Sequence, residues 1–236
     1  MSESFDRMGM LMGEDAMQKL AGAHICVVGL GGVGGQVVEI LARSGVGALS
    51  VVDYDRISIT NINRQILATH ATVGQFKAEA AKERILSINP ECKVVAHNVF
   101  INEESVDGLD FASYDYVVDA MDRIAGKTTL VKAAHAAGTP IISCMGTGNK
   151  VDPTAFEIAE LFETKVCPLC RVMRKVCRRK GIDHLEVLYS REVPLDTTQE
   201  RTQSSCAFVP AAAGILLAAH VIKTLTGIWG EGLNLS

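Results

Sequence analysis

The chain carries no excess of positive charge. Lys and Arg number 23 against 27 Asp and Glu, for a net charge of −4. That argues against a protein that binds nucleic acid over its whole surface, although a local basic patch remains compatible with it. There is no internal repeat, no low-complexity segment, and no apolar run of the length a membrane span needs. The longest, Ala207 to Ile222, is rich in alanine, has Pro210 near its start and contains His220, so a buried core helix is expected and no membrane partner. The first twenty residues are charged and helix-like and do not resemble a secretion signal. The seven cysteines are odd in number, and several stand in apolar strand-like runs where Cys acts as a small hydrophobe. A reducing, cytoplasmic setting is expected.

What is present is a core-forming composition. Apolar residues make up 48% and charged residues 21% of 236, enough to bury a core without disulfide staples. Met1 to Leu20 reads as an arm plus one helix. Apolar runs at 24–29, 48–53, 93–97, 116–118 and 139–143 alternate with helical spacing at 33–44, 76–87 and 124–137. Such alternation predicts an α/β fold, a doubly wound, Rossmann-like, mostly parallel sheet. After about residue 150 the rhythm changes. Strand-like runs at 155–161 and 185–189 bracket a basic helix at 168–180, and a polar stretch at 193–205 reads as a mobile loop. We therefore expect a single domain over 1–236: a nucleotide-binding core, 1–150, and a substrate-side C-terminal extension, 151–236, with additional strands and helices.

The sharpest local signal is Gly29-Leu-Gly31-Gly32-Val-Gly34, a G-x-G-x-x-G run that follows a strand and opens a helix. Its glycines allow a tight turn, close approach of phosphate to backbone, and close helix packing, with the phosphate at the positive helix end. Asp53 ends the next strand about twenty residues on, where a carboxylate can hold ribose hydroxyls. These features indicate an adenine nucleotide but do not separate NAD from ATP. Asn61, Arg64, Gln65 and Lys77 do. A dehydrogenase has no use for such cations beside its phosphate loop, whereas an enzyme acting on a triphosphate needs them to neutralise phosphoryl oxygens.

With these residues the chain resembles the ATP-dependent adenylating enzymes related to ubiquitin-activating enzymes, a family that includes the activators of the molybdopterin and thiamine sulfur carriers. The likeness in these motifs covers residues 5 to about 150. It implies that Gly29, Gly31, Gly32 and Gly34 form the nucleotide loop and Asp53 binds ribose. It further implies that Asn61, Arg64, Gln65 and Lys77 contact the ATP phosphates and that Asp122 holds magnesium. Arg7, in Phe5-Asp-Arg7, resembles an N-terminal arginine that reaches into the partner subunit's site, which implies a homodimer. Asp119 is left between a structural hydrogen bond and a role near magnesium. Gly126-Lys127-Thr128-Thr129 looks like the end of a P-loop, but Met121 stands where that loop needs glycine, so the segment reads as helix surface.

Sulfur-carrier activators carry two C-x-x-C pairs for zinc. Here Cys167-Pro-Leu-Cys170 is the one pair, and zinc is not expected. Three segments resemble the tRNA threonylcarbamoyladenosine dehydratase branch over nearly the whole chain: the N-terminal arm through Met17, Gly148 to Pro153 followed by the basic helix, and Ser204 to Pro210. That branch implies a ligase-type reaction. ATP would activate the threonine carboxylate of the modified adenosine as an acyl adenylate, and cyclisation would release AMP and pyrophosphate. Six cations, Arg171, Arg174, Lys175, Arg178, Arg179 and Lys180, fall within ten residues, a footprint suited to RNA backbone. The alternatives kept open are activation of a ubiquitin-like sulfur carrier's C-terminal glycine and a nucleotide-binding oxidoreductase or sensor. A sulfur-transfer or redox partner protein and a monovalent cation held by backbone carbonyls would leave no sequence trace.

Overall fold

The computed structural model describes residues 3–195 and 204–228. Seven strands form one sheet in the order β3-β2-β1-β4-β5-β7-β6. They are β1 (His24–Val28), β2 (Ala48–Val52), β3 (Lys93–His97), β4 (Tyr116–Asp119), β5 (Ile141–Cys144), β6 (Phe156–Glu160) and β7 (Glu186–Ser190). The first five run parallel, β7 continues parallel beside β5, and β6 closes the edge antiparallel to β7. The sheet thus continues through residue 150 without a break. Among the described residues there are seven α-helices, of which all but the first pack on or around the sheet: α1 (Asp6–Met12), α2 (Glu14–Gly22), α3 (Gly34–Arg43), α4 (Lys77–Ile88), α5 (Ile124–Ala137), α6 (Pro168–Lys180) and α7 (Phe208–Thr226).

Alternation along each strand sorts two cores. Ile25 and Val27 of β1, with Leu49, Val51, Val118 and Ile142, pack under α2, α3, α4 and α7. Cys26 and Val28, with Val52, Val117 and Val187, pack under α5 and α6. Both faces being covered is why the central strands read as unbroken apolar runs. Close approach of α7 to α3 depends on Gly214, where an added Cβ would lie 2.5 Å from the Val33 carbonyl. The Ala207 to Ile222 run is therefore a helix packed on the sheet's helical layer. Its length and composition would also suffice to cross a membrane, and half of that window is buried inside the fold.

The N-terminal arm differs from expectation. It forms two helices, because Gly13 at φ 84 ends α1 and starts α2 at a new angle. The strand expected at 139–143 starts at Ile141, after Pro140. The basic helix occupies 168–180 as expected, begins with proline in its first turn and ends at Gly181 in the left-handed region. Most of the expected 193–205 loop lies outside the described residues.

Candidate functional site: a nucleotide cleft at the sheet's switch point

Between β1 and β4 the strand order reverses direction, and the loops leaving the carboxyl ends of β1, β2 and β4 splay apart there. In open α/β sheets this is where ligands bind. A cavity of about 470 Å³ opens at this point. Gly29, Gly31, Gly32, Asp53, Asn61, Arg64, Gln65, Lys77 and Asp122 all line it.

The glycine loop takes its shape from two contacts. Gly29 has φ 88, and a Cβ there would also meet the Ala120 backbone at 2.8 Å. A Cβ on Gly34 would lie 1.7 Å from the Gly29 carbonyl oxygen. Gly34 therefore brings α3 against the loop and does not itself line the cleft, unlike its expected part in the nucleotide contact. The N-terminus of α3 is thereby held beside the cavity, where the positive end of the helix suits an anion.

Asp53 anchors the loop from below. Its Oδ2 accepts from the Leu30 N–H at 2.7 Å and its Oδ1 from the Asp55 N–H at 2.8 Å. Burial pushes its carboxyl pKa up, with Lys77 and the two N–H donors opposing. The lone pairs left over remain for ribose hydroxyls. Lys77 starts α4, is 6% exposed, and is aimed back at the cleft by a hairpin-like excursion. Ile57 N–H donates to the Gln75 carbonyl, Gly74 N–H to Ile57, and Lys77 N–H to Asp55, while the Arg56 guanidinium stacks 3.7 Å above the Phe76 ring. Lys77 Nζ then stands 2.9 Å from Asp55 Oδ2 and 3.9 Å from Asp53 Oδ2. Two carboxylates hold this cation ready, and a triphosphate would compete for it.

Asn61 uses Oδ1 to accept from the Ser58 N–H in a capping box. Its amide nitrogen is left for a ligand. Arg64 bonds the Thr60 carbonyl and Asn63 Oδ1, each at 2.9 Å, through one Nη. Gln65 is buried, and its Oε1 has no partner among the described residues. An orphaned buried acceptor in a cleft wall fits a bound hydroxyl.

Asp119 resolves as structural. Its Oδ2 accepts from Lys127 Nζ at 3.0 Å and from Ser143 Oγ at 2.7 Å, and its Oδ1 from the Met121 N–H at 3.1 Å. Lys127 is fully buried and also donates to the Cys144 carbonyl at 2.7 Å. The reading of Gly126–Thr129 as helix surface is thus corrected. This turn of α5 faces the sheet, and the lysine is tolerated because an aspartate and a carbonyl meet it there. Asp122, the residue after the pinned Met121, projects exposed at the cleft mouth.

Three further lining residues escaped the sequence reading. Tyr54 meets Phe100 edge to face at 4.9 Å, and Arg123 stands 5.3 Å over the same ring. Arg123 adds a cation beside Asp122; its adjacency to that residue was the available signal. Phe100 follows β3 in a stretch with no pattern. Arg7 is exposed on α1 and does not line the cleft of its own chain.

The six cations of α6 do not line the cleft either, and they are not equivalent. Arg171, Lys175, Arg178 and Arg179 are exposed, with Arg178 reaching over the Phe162 ring at 5.1 Å. Lys180 approaches Glu103 at 3.8 Å. Arg174 turns inward, donating to the Thr164 hydroxyl and, at 2.9 Å, to its carbonyl. It braces the preceding turn and is half-buried, unlike the exposed cations expected with it to meet RNA.

Comparison with known proteins agrees with this cleft. The ThiF family model matches residues 5–235. The chain belongs to the ThiF family. A Bacillus subtilis (strain 168) protein named tRNA threonylcarbamoyladenosine dehydratase is 39% identical over 242 residues, 95% of each chain. The solved structure of Escherichia coli tRNA N6-threonylcarbamoyladenosine dehydratase, TcdA, in complex with ATP superposes with a TM-score of 0.90 at 33% identity, covering 95% of this chain and 94% of that one. The molybdopterin-synthase adenylyltransferase of Escherichia coli (strain K12) is 35% identical over 129 residues, 55% of this chain and 51% of that protein. Within the family, the similarity to the dehydratases extends through α6 and α7; that to the adenylyltransferase covers little more than half the chain.

Proposed function

We propose that the protein is an ATP-dependent tRNA threonylcarbamoyladenosine dehydratase. The observation that carries this is one cleft that gathers a ribose-holding carboxylate, a helix N-terminus and three cations, Arg64, Lys77 and Arg123, in a chain similar over its whole length to dehydratases. ATP lies with its ribose on Asp53 and its phosphates between the α3 N-terminus, Arg64 and Lys77. The threonine carboxylate of the modified adenosine attacks the α-phosphorus, and pyrophosphate leaves. Arg64 and Lys77 carry the charge that gathers on the phosphoryl oxygens. A ureido atom of the same side chain then attacks the activated carbonyl and loses its proton, and AMP departs with one carboxylate oxygen. Attack within one molecule gains from proximity, so no protein nucleophile is needed.

Magnesium fits this site through Asp122. Its carboxylate is a hard oxygen donor at the cleft mouth and would hold the ion there, with phosphate oxygens and water supplying the remaining ligands. When bound, it neutralises phosphate charge. The exposed cations of α6 would meet RNA backbone. Self-association belongs to the same reading: Met10 and Leu11 on α1 are 85% and 84% exposed, beside Arg7, an apolar patch suited to a second copy that would bring Arg7 toward the partner's cleft. The setting proposed is the cytoplasm.

The test is the mass of the nucleoside. Incubated with ATP, magnesium and tRNA bearing threonylcarbamoyladenosine, the protein should remove one water from it. Arg64→Ala and Lys77→Ala should each slow this about 10²- to 10³-fold while leaving the fold intact by circular dichroism. An unchanged nucleoside, with ATP–pyrophosphate exchange only when a small carrier protein is added, would shift the assignment to the sulfur-carrier activators.

A further inference from the structure

Behind the cleft wall lies a pair of thiols that the reaction leaves unused. Cys167 is the N-cap of α6 and Cys170 follows one turn later; both are reduced and buried. Their spacing puts them on one face of the helix. The N–H groups of Cys170 and Leu169 point at the Cys167 sulfur. Hydrogen bonding from the Cys170 side chain, joined by these N–H groups, holds the Cys167 thiol well below the usual range against the opposing effect of burial. The same hydrogen bonding and burial push Cys170 up. Cys167 is thereby the more acidic, attacking thiol and Cys170 the resolving one.

A second feature points at the same spot independently. Lys150 is 3% exposed, and its Nζ has no hydrogen-bond partner among the described residues. A buried ammonium without a counter-charge is strongly unfavourable. The Lys150 segment touches the dithiol turn: a Cβ on Gly146 would lie 3.8 Å from the side chain of Leu169, which stands between the two cysteines, and the Lys150 charge draws the Cys167 thiol down. The backbone is left-handed just before both groups. Val166, just before Cys167, has φ 66, and Asn149, just before Lys150, has φ 58. A β-branched residue in that region persists only where surrounding packing enforces it.

Lys150 is also joined to the nucleotide site. Thr147 and Gly148 line the cleft, as do Ser204 and Ser205. Asn149 and Ser204 exchange two hydrogen bonds of 2.8 Å, and Asn63, beside Arg64, donates to the Ser205 carbonyl at 3.1 Å. The counter-ion of the thiolate and part of the cleft wall are thus neighbours on one short segment.

We propose that Cys167 and Cys170 form a peroxide-sensitive dithiol whose oxidation to a disulfide loosens the nucleotide cleft through the Gly146–Lys150 segment. The Cys167 thiolate attacks one oxygen of a hydroperoxide. An S–O bond forms, the O–O bond breaks, and the departing oxygen takes a proton to leave as water or alcohol. The Cys170 sulfur then attacks the resulting sulfenic acid. An S–S bond forms, and the hydroxide leaves as water with the Cys170 proton. The two thiols supply the two electrons that reduce the peroxide. The disulfide is neutral, so Lys150 loses its counter-charge and the segment must shift to hydrate it, displacing Thr147, Gly148 and Ser204. Val166, the residue before buried Cys167, is 54% exposed, and a peroxide is small enough to reach the sulfur during a local opening. Oxidation does not depend on what the cleft binds; its coupling to the cleft rests on the ATP reading above.

The experiment treats the reduced full-length protein with hydrogen peroxide, alkylates it and digests it with trypsin. Cleavage after Lys165 and Arg171 releases Val166–Arg171, which holds both thiols and no other cysteine. This peptide should lose two hydrogens, resist alkylation and regain both thiols with dithiothreitol. It should do so at lower peroxide than is needed to oxidise Cys206, the cysteine of intermediate exposure. ATP affinity of the same sample should fall about tenfold and recover on reduction. Cys170→Ser should stop at a sulfenic acid on Cys167 that dimedone traps; if that variant does not fold, the wild-type peptide still decides. Oxidation of Cys206 with Val166–Arg171 fully alkylated would overturn the dithiol. A disulfide with unchanged ATP affinity would overturn the coupling. A reduced protein that binds no ATP would sink the ATP reading, and the peptide would judge the dithiol by itself.

Discussion

Lys127 shows how much the setting of one side chain decides. In sequence it stands in Gly-Lys-Thr, where it looks like part of a phosphate loop, yet it never reaches the cleft. Fully buried, it bridges Asp119 at the end of β4 and the Cys144 carbonyl at the end of β5. Asp119 in turn holds the Met121 N–H, and so fixes the turn from which Asp122 projects. Lys127→Met leaves Asp119 charged and unpaired in the core and should destabilise the protein by about 3–5 kcal/mol. Asp119→Leu combined with Lys127→Met should destabilise by less than the single change, because no charge is stranded. Urea midpoints of the two variants decide this. Equal losses would mean that the pair carries no such coupling. Sequence reasoning could place Lys127 on a helix but not say which face of α5 meets the sheet, since the apolar pattern there is weak and the polar Thr128 and Thr129 are buried as well.

At the scale of elements, α6 divides its cations by position around the helix. Cys167, Cys170, Met173 and Cys177 make the buried stripe, and Arg174 beside it braces Thr164. Arg171, Lys175 and Arg179 point outward. Replacing those three by Gln should weaken tRNA binding and make its salt dependence shallower by about one unit per lost phosphate contact. Arg174→Ala should instead lower thermal stability and leave the salt slope unchanged. A filter-binding titration at several salt concentrations separates the two. A triple variant with the parent's slope would remove α6 from the RNA interface. The extent of this helix was legible because proline, apolar stripe and glycine mark it. The inward turn of Arg174 was not, because it depends on how the turn at Thr164, ten residues earlier, folds back on the helix.

For the molecule as a whole, the sheet is what joins the nucleotide loops to the C-terminal extension. The alternation of apolar runs and helical spacing revealed the five parallel strands, since a strand buried on both faces must be apolar throughout. That β7 precedes β6 at the sheet's edge could not be read, because strand order is a long-range choice. Glu186 is one tie across this join. It lies on β7, meets His220 of α7 at 2.7 Å and Tyr116 of β4 at 3.4 Å. The hydrogen bond from His220 outweighs burial and holds the Glu186 carboxyl below its ordinary value of 4.5. A depressed folded-state pKa means the stabilisation is complete above the unfolded value and is lost as pH falls through the folded one. The acid limb of stability, below about pH 4.5, should therefore flatten in Glu186→Gln, with a lower urea midpoint at neutral pH. An acid limb as steep as the parent's would discount this tie.

The cleft was the most legible feature of all. Its glycines, Asp53, Asn61, Arg64, Gln65, Lys77 and Asp122 each carry chemistry at a spacing suited to a nucleotide, whereas Tyr54 and Phe100 reach it only through folding and Arg123 was signalled only by its place beside Asp122. The central claim is that this cleft activates a carboxylate by transferring it to AMP. Modified tRNA carrying ¹⁸O in both oxygens of the threonine carboxylate, turned over with ATP and magnesium, tests it most directly. One labelled oxygen should appear in AMP, one should remain in the dehydrated nucleoside, and pyrophosphate should carry none. Label in inorganic phosphate with ADP as the co-product, or dehydrated nucleoside formed beside unlabelled AMP, would contradict the claim.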